Sequence, residues 1–469
     1  RSTHSFRQTF ARSTMQTRRA KFLSSTSNVA TFRLPQEVID AIIDHLHEEP
    51  ESLAAVGRVS RAWYRQTRVH LFREIATYGG PKFKDRVAKL ESLLQKNQDL
   101  APFVHHIRVQ AGTYRNRQQY SHLKPLVRVL PMLVSLDELT LEGFESNLTN
   151  GVIDWPDVPR EVAIALFETM ANPMVKKLTL ARIFDFDIVP LGQLHHIREL
   201  IMQEVHSYAE EDDPFESSPG ACFPLPSITT LPHPPTSDDY LRVLDISNCG
   251  SAVNILLNMS TIPEGTLHPS RIDTLLVNTT NFNHEMQHAW EVLLQRCGAS
   301  VEKYDVLQDV YDADEIEMLE EPAFPRAVFA FHRFPKLKDL NITMTPHFFS
   351  EEEYNPLPLL LEGLQQVSST GHGPSELVKM RLEFDFRALE DNGEDLDVTK
   401  GFTNLSKDKF WSSLDDTLSK PVYSKLQTLL IAVDITYCSL KKAAWTKGTQ
   451  NILSQMPNTR GKVDISWYV

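Results

Sequence analysis

Val104-His-His-Ile107-Arg-Val109, Leu136-Asp-Glu-Leu139-Thr-Leu141 and Val175-Lys-Lys-Leu178-Thr-Leu180 repeat one short phrase, apolar-x-x-apolar-x-apolar. Its last three positions alternate, so the two apolar side chains share one face of an extended chain and the residue between them points the other way. Each copy therefore predicts a half-buried strand. The phrase returns at Ile197/Leu200/Met202, Leu241/Leu244/Ile246, Ile272/Leu275/Val277, Val301/Tyr304/Val306, Leu337/Leu340/Ile342, Leu377/Met380/Leu382 and Leu426/Leu429/Ile431. Val463-Asp-Ile465 keeps its last two positions. Helical apolar spacing lies between copies, at residues 160–170, 285–295, 357–367 and 410–418. Alternating strands and helices predict an α/β solenoid with a parallel sheet, built by stacking along one axis. Such growth explains how 469 residues fold without one very large core.

The phrase resembles a degenerate leucine-rich repeat. Two features depart from that family. The interval between first anchors runs from 22 residues (Val175 to Ile197) to 49 (Leu377 to Leu426). The Asn that follows the strand is mostly missing, Asn248 after Leu244-Asp-Ile246 being the best case. The expectation is an irregular leucine-rich-repeat-like solenoid over residues 104–469. Its strand face and edge loops would hold a partner. Residues between the strand anchors would line that face: Arg108, Thr140, Thr179, Asp245, Asn341, Arg381 and Asp464.

Residues 34–76 read differently. After Leu34-Pro35, the side chains Val38, Ile39, Ile42, Ile43 and Leu46 share one helical face. Proline is pre-set for a helix start, here expected at the first helical position, and Pro50 limits the helix at its far end. Leu53, Val56, Val59 and Trp63 form a second set, and Leu71, Phe72 and Ile75 close the segment. Three short amphipathic helices without a disulfide make a marginal core that usually leans on a partner. The order Leu34-Pro35, Val59-Ser60-Arg61-Ala62-Trp63 and Leu71-Phe72 resembles the F-box, with Phe72 where many members have Trp. The resemblance implies docking to a Skp-family adaptor, and through it to a cullin scaffold. It implies an adaptor-binding face of Leu34, Pro35, Val38, Ile39, Ile42, Leu46, Leu53, Leu71 and Phe72, with Val59 and Trp63 mainly in the core. Arg58, Arg61, Arg65 and Arg68 share a helical face that reads as a solvated stripe.

Composition narrows the function. The chain is 41% hydrophobic with a net charge of −13, which fits a globular protein and argues against nucleic acid as the main partner. Residues 1–33 carry Arg1, Arg7, Arg12, Arg18, Arg19, Lys21 and Arg33 and no acidic side chain, so the remainder is more acidic than the average. A basic, Ser-rich start has transit-peptide composition; lacking a sustained apolar face, it is expected to be a disordered tail. Residues 77–103 are expected as a linker helix. Residues 208–240, rich in Pro and acidic side chains, and the acidic run 309–321 read as surface insertions. Cys222, Cys249, Cys297 and Cys438 form no CxxC pair and read as reduced thiols, pointing to the cytoplasm or nucleus. No apolar run reaches the roughly 18–20 residues of a membrane span.

Catalytic signals are weak. There is no GxGxxG, no P-loop and no G-x-S-x-G elbow. His284-Glu285-Met286-Gln287-His288 reads HExxH, whose histidines share a helical face that can bind zinc with Glu as base. The extended form of that motif needs Gly and His where this chain has Glu291 and Leu294. The pairs His105-His106 and His195-His196 point to opposite faces of a strand and chelate poorly. The expectation is a non-enzymatic, cofactor-free substrate receptor of a Skp-cullin-F-box ubiquitin ligase, whose solenoid holds a target protein. The alternatives are a zinc metallohydrolase using the HEMQH motif, or a repeat scaffold with no ubiquitin role.

Overall fold

The computed structural model describes residues 34–77, 86–111, 120, 122–143, 145–146, 149–188, 191, 194, 196–206, 240–247, 249, 271–278, 284–307, 326–344, 356–370, 376–386, 398–435, 440 and 442–468. The chain divides into two compact units, Arg1–Gln66 and Thr67–Val469. The boundary falls inside the third helix.

In the first unit, α1 spans Gln36–Asp44. Pro35 precedes it with φ −52° and ψ 147°, so proline is the residue before the helix and not its first member. The Pro35 carbonyl accepts from the Val38 and Ile39 amides at 3.1 and 3.2 Å. Pro50 opens α2 (Pro50–Val56). Its missing N–H has no helical partner at that position anyway, which is why proline suits it. α3 spans Arg61–Arg73. Gln36 Nε2 donates to the Ala62 carbonyl at 3.2 Å, and Gln66 Nε2 to the Asp44 carboxylate at 2.8 Å. These two bonds tie the start of α3 to both ends of α1. Among the described residues of this unit the buried hydrophobic side chains are Ile39, Ile43 and Leu53. Each contributes about 1.5–3 kcal/mol by burial, a small core for three helices.

The second unit is built on a parallel sheet with thirteen strands among the described residues. The strands are β1 (Glu74–Thr77), β2 (His106–Ala111), β3 (Glu138–Gly143), β4 (Glu145–Ser146), β5 (Thr149–Asn150), β6 (Ile153–Asp154), β7 (Lys177–Phe184) and β8 (Glu199–Val205). They continue as β9 (Val243–Ser247), β10 (Thr274–Asn278), β11 (Lys303–Leu307), β12 (Asp339–Met344), β13 (Lys379–Asp385), β14 (Thr428–Asp434) and β15 (Val463–Tyr468). The sheet follows chain order from β1 to β15; β6 pairs with the far end of β7, and β4 and β5 form a separate antiparallel pair. Stacking in chain order with parallel strands makes this unit an α/β solenoid.

Every copy of the repeated phrase lies at a strand, in matching register. Ile107, Leu139, Leu178, Leu200, Leu244, Leu275, Tyr304, Leu340, Met380, Leu429 and Val463 form one row across the sheet. Val109, Leu141, Leu180, Met202, Ile246, Val277, Val306, Ile342, Leu382, Ile431 and Ile465 form the next row on the same face. Period-two alternation turns one side of each strand into a continuous apolar floor. Helices cover it, including Arg160–Met170, His284–Cys297, Pro356–Thr370 and Phe410–Leu418.

At the start of β3 and of β7 to β14, two successive amides donate to one carbonyl just before the preceding strand of the sheet. Asp137 and Glu138 donate to His105 at 2.9 and 3.0 Å, and Lys176 and Lys177 to Asp137 at 2.7 and 3.1 Å. The column runs on to Gln427 and Thr428 on Val378 at 2.8 and 3.2 Å. It fixes these strand entrances at one level, so the variable interval is absorbed between strands and leaves the register intact.

Two boundaries differ from the expectation. The sheet starts at β1, within the stretch read as the helical module. Phe72-Arg-Glu-Ile75-Ala-Thr77 is another copy of the phrase, with Thr in its last place. Thr77 is buried there and its hydroxyl donates to the Arg108 carbonyl at 3.3 Å. The segment read as a linker helix does hold a helix, Arg86–Lys96, but its Val87, Leu90 and Leu94 join the solenoid core.

Candidate functional site

In the first unit, Leu34, Pro35, Val38 and Ile42 are all exposed, the three non-proline side chains at 44%, 42% and 38%. They form an apolar face beside the amphipathic core stripe of α1. The other residues expected on that face are placed differently. Ile39 and Leu53 are buried in the core and Leu46 is half-buried. Leu71 and Phe72 belong to the second unit, where both are half-buried and Phe72 packs against the solenoid core as an anchor leading into β1. Val59, expected in the core, is 69% exposed; it lies beyond the end of α2, outside the helical stripe that would have buried it. Trp63 is half-buried, and Ile43 fills the innermost position.

In the second unit, the residues between the strand anchors do assemble. Arg108, Thr140, Thr179, Asp245, Asn341, Arg381 and Asp464 occupy one register row on the face opposite the core. Their surroundings separate them. Glu142 accepts from Arg108 Nε at 2.6 Å, Gln110 Nε2 at 3.0 Å and Arg182 Nη2 at 3.2 Å. Arg108 is thereby held by the sheet itself. Thr140 is buried and pairs with His106 Nε2 at 3.0 Å. Asp464 is exposed on the last strand.

Over β9 to β13 this row opens into a depression of about 330 Å³. Asp245, Leu276, Asp305, Asn341 and Arg381 cross it in register, with Ser247, Asn278, Leu307, Thr343 and Glu383 in the next row. Two of its charges are matched locally. Lys303 Nζ sits 2.8 Å from Asp305 Oδ2 while Asn341 Nδ2 donates to Asp305 Oδ1 at 2.5 Å, and Arg381 Nη2 sits 2.7 Å from Glu383. Asp245 receives the Ser247 hydroxyl at 3.5 Å. Burial, with Asp305 nearby, pushes the Asp245 carboxyl up to about 6 despite the Ser247 bond. Leu276 and Asp305 hold the same phrase position as Asp245, in Leu275-Leu276-Val277 and Tyr304-Asp305-Val306. That shared position is the sequence signal for them.

The histidines carry structural bonds. His105 Nδ1 lies 3.2 Å from Asp137, and His196 Nε2 lies 2.9 Å from the Met170 carbonyl. His284, Glu285 and His288 open the helix His284–Cys297, but their side chains lie outside the described residues. So do His195, Asn248, Cys222, Cys438, the tail 1–33, and residues 208–239 and 309–321. Among the described residues no group of three or more His, Cys, Asp and Glu side chains is arranged to hold a metal, and no helix is long and apolar enough to cross a membrane. Cys249 and Cys297 are buried thiols, each pushed up to about 12 by desolvation.

No family model matches the chain, and no curated protein matches it. Solved structures do align. A Bacteroides fragilis protein aligns at 9% identity and a TM-score of 0.30, covering 84% of this chain and 73% of its own. An internalin of Listeria monocytogenes aligns at 11% identity and a TM-score of 0.25, covering 94% of this chain and 99% of its own. At such scores the superpositions share only a loose chain path, and the fold stands on the strand register above.

Proposed function

We propose that this chain is a non-enzymatic substrate receptor of a Skp-cullin-F-box ubiquitin ligase. On this reading its first unit docks a Skp-family adaptor, and its solenoid presents a target protein for ubiquitin transfer. The supporting observation is the exposed apolar face of Leu34, Pro35, Val38 and Ile42 on a unit whose core, among the described residues, is Ile39, Ile43 and Leu53. A unit so short of buried apolar area gains stability by covering that face with a partner. The residue order that resembles the F-box supplies the kind of partner. The solenoid's role is proximity and orientation, which requires a rigid surface and no bond chemistry.

The test is co-purification of the full chain with a Skp-family adaptor, comparing wild type with Leu34→Ala/Pro35→Ala. The reading requires that wild type retains the adaptor and the double variant loses it. A wild-type chain that fails to retain the adaptor sinks it.

A further inference from the structure

The depression over β9 to β13 differs from the rest of the strand face in its charge and its shape. Lys303 answers Asp305, and Arg381 answers Glu383. That leaves Asp245 as the lining carboxylate, among the described residues, with no cation beside it; its polar contact is the Ser247 hydroxyl, at the outer limit of a hydrogen bond. Asp245 and Asp305 stand two strands apart, roughly 10 Å. Leu276 is in register between them, and Leu307, 39% exposed, lines the adjoining row. A carboxylate next to a short apolar strip in an open depression is the complement of a long aliphatic side chain ending in a cation. A small inorganic cation makes no use of Leu276 and Leu307.

We propose that this depression receives one lysine or arginine side chain from an extended segment of a partner protein, its stem lying on Leu276 and Leu307 and its cationic head on Asp245. The assignment rests on the reading of the strand face as the target-binding surface. It specifies the target chemistry: a basic residue flanked by chain able to lie along a polar sheet face. Asp305, already bonded by Lys303 and Asn341, sets the far wall and takes no part in the contact. The site seats a single side chain, because Arg381 bars a second cation on the β13 side.

The experiment is selection of a displayed random seven-residue peptide library on the immobilised full chain at neutral pH and physiological salt, with no adaptor present. Wild type is expected to enrich peptides with Lys or Arg at one shared position. A selected peptide is expected to bind Asp245→Asn at least tenfold more weakly. Ser247→Arg, which fills the depression with the protein's own cation, is expected to abolish binding. Because the whole chain is acidic, Asp416→Asn, an exposed carboxylate elsewhere, serves as control and is expected to leave binding unchanged. Circular dichroism confirms that each variant is folded. The proposal is overturned if no peptide is enriched, if enriched peptides lack a shared cation, if Asp245→Asn binds them as wild type does, or if Asp416→Asn weakens them equally. Loss of adaptor binding with peptide selection intact would sink only the ubiquitin reading; the reverse would sink only this one.

Discussion

Asp415 and Thr459 are joined twice. One carboxylate oxygen of Asp415 accepts both the Thr459 amide at 2.8 Å and the Thr459 hydroxyl at 2.6 Å. The other oxygen accepts the Asn458 amide at 3.0 Å. Both residues are buried, Asp415 on the helix Phe410–Leu418 and Thr459 in the turn that leads to β15. A carboxylate satisfied by three donors pins the last turn of the solenoid to the helix before it.

Removing that acceptor leaves the two buried Thr459 donors without a partner, at about 1–3 kcal/mol each, and frees the Asn458 amide on an exposed residue. Asp415→Ala is therefore expected to destabilise by about 3 kcal/mol. Asp415→Asn turns an amide donor toward one of these N–H groups and is expected to cost about 2 kcal/mol. Thr459→Val, losing only the hydroxyl, is expected to cost about 1 kcal/mol. Urea denaturation checks the order. Equal losses for Asp415→Ala and Thr459→Val would contradict the double attachment.

Gly363 lies on the helix Pro356–Thr370, where a Cβ would overlap the backbone carbonyl of Phe329. Helix propensity alone makes Gly→Ala favourable by about 1 kcal/mol. Here the overlap is with backbone, which cannot turn aside. Gly363→Ala is expected to destabilise by about 1–3 kcal/mol. Thermal unfolding of the variant reads the sign directly.

Asp245 carries a pH-dependent cost. Its carboxyl is raised from an ordinary 3.8 to about 6, first by burial and then by Asp305. Below pH 3.8 it is protonated in both folded and unfolded chains and costs nothing. Between the two values the folded chain holds more protons, so stability falls as pH rises, and above 6 the full penalty applies. Arg381 and Glu383 also line this area and Lys303 pairs with Asp305 at its side; this local pairing leaves the sign unchanged. Asp245→Asn is expected to stabilise by about 1 kcal/mol at pH 7.5, after allowance for partial solvent exposure, and by nothing at pH 3.5. Melting temperatures of both proteins across that range decide it; a gain at the acid end would count against it.

In the first unit, exposure and burial separate binding from stability. Val38→Ala, on the exposed face of α1, is expected to change stability by no more than about 0.5 kcal/mol while weakening adaptor binding. Ile43→Ala empties the innermost position and is expected to cost about 2–4 kcal/mol. Hydrogen exchange of the α1 amides measures both without relying on the global transition of the larger unit.

The strands were legible because their signal is local. Leu139-Thr140-Leu141 and its counterparts place two apolar side chains on one face whatever surrounds them, and a parallel sheet follows once every copy must bury that face. The helices at 160–170 and 410–418 were legible for the same reason, at a period of 3.6. β1 escaped because Thr77 stands where the phrase expects an apolar side chain, and a threonine can be buried if its hydroxyl finds an acceptor. Exposure in the first unit was not legible: Val59 and Ile43 are both β-branched and apolar, and only the folded unit puts one outside and the other inside. Nor was the site. Asp245 and Asp305 occupy the same place in the same phrase, and what distinguishes them is Asn341, brought beside Asp305 from a neighbouring strand, together with Lys303. The Asp415–Thr459 attachment likewise joins residues that are distant in sequence. Periodicity declares which side chains must be buried; which charge is answered and which is left for a partner depends on neighbours that only the stacked turns bring together.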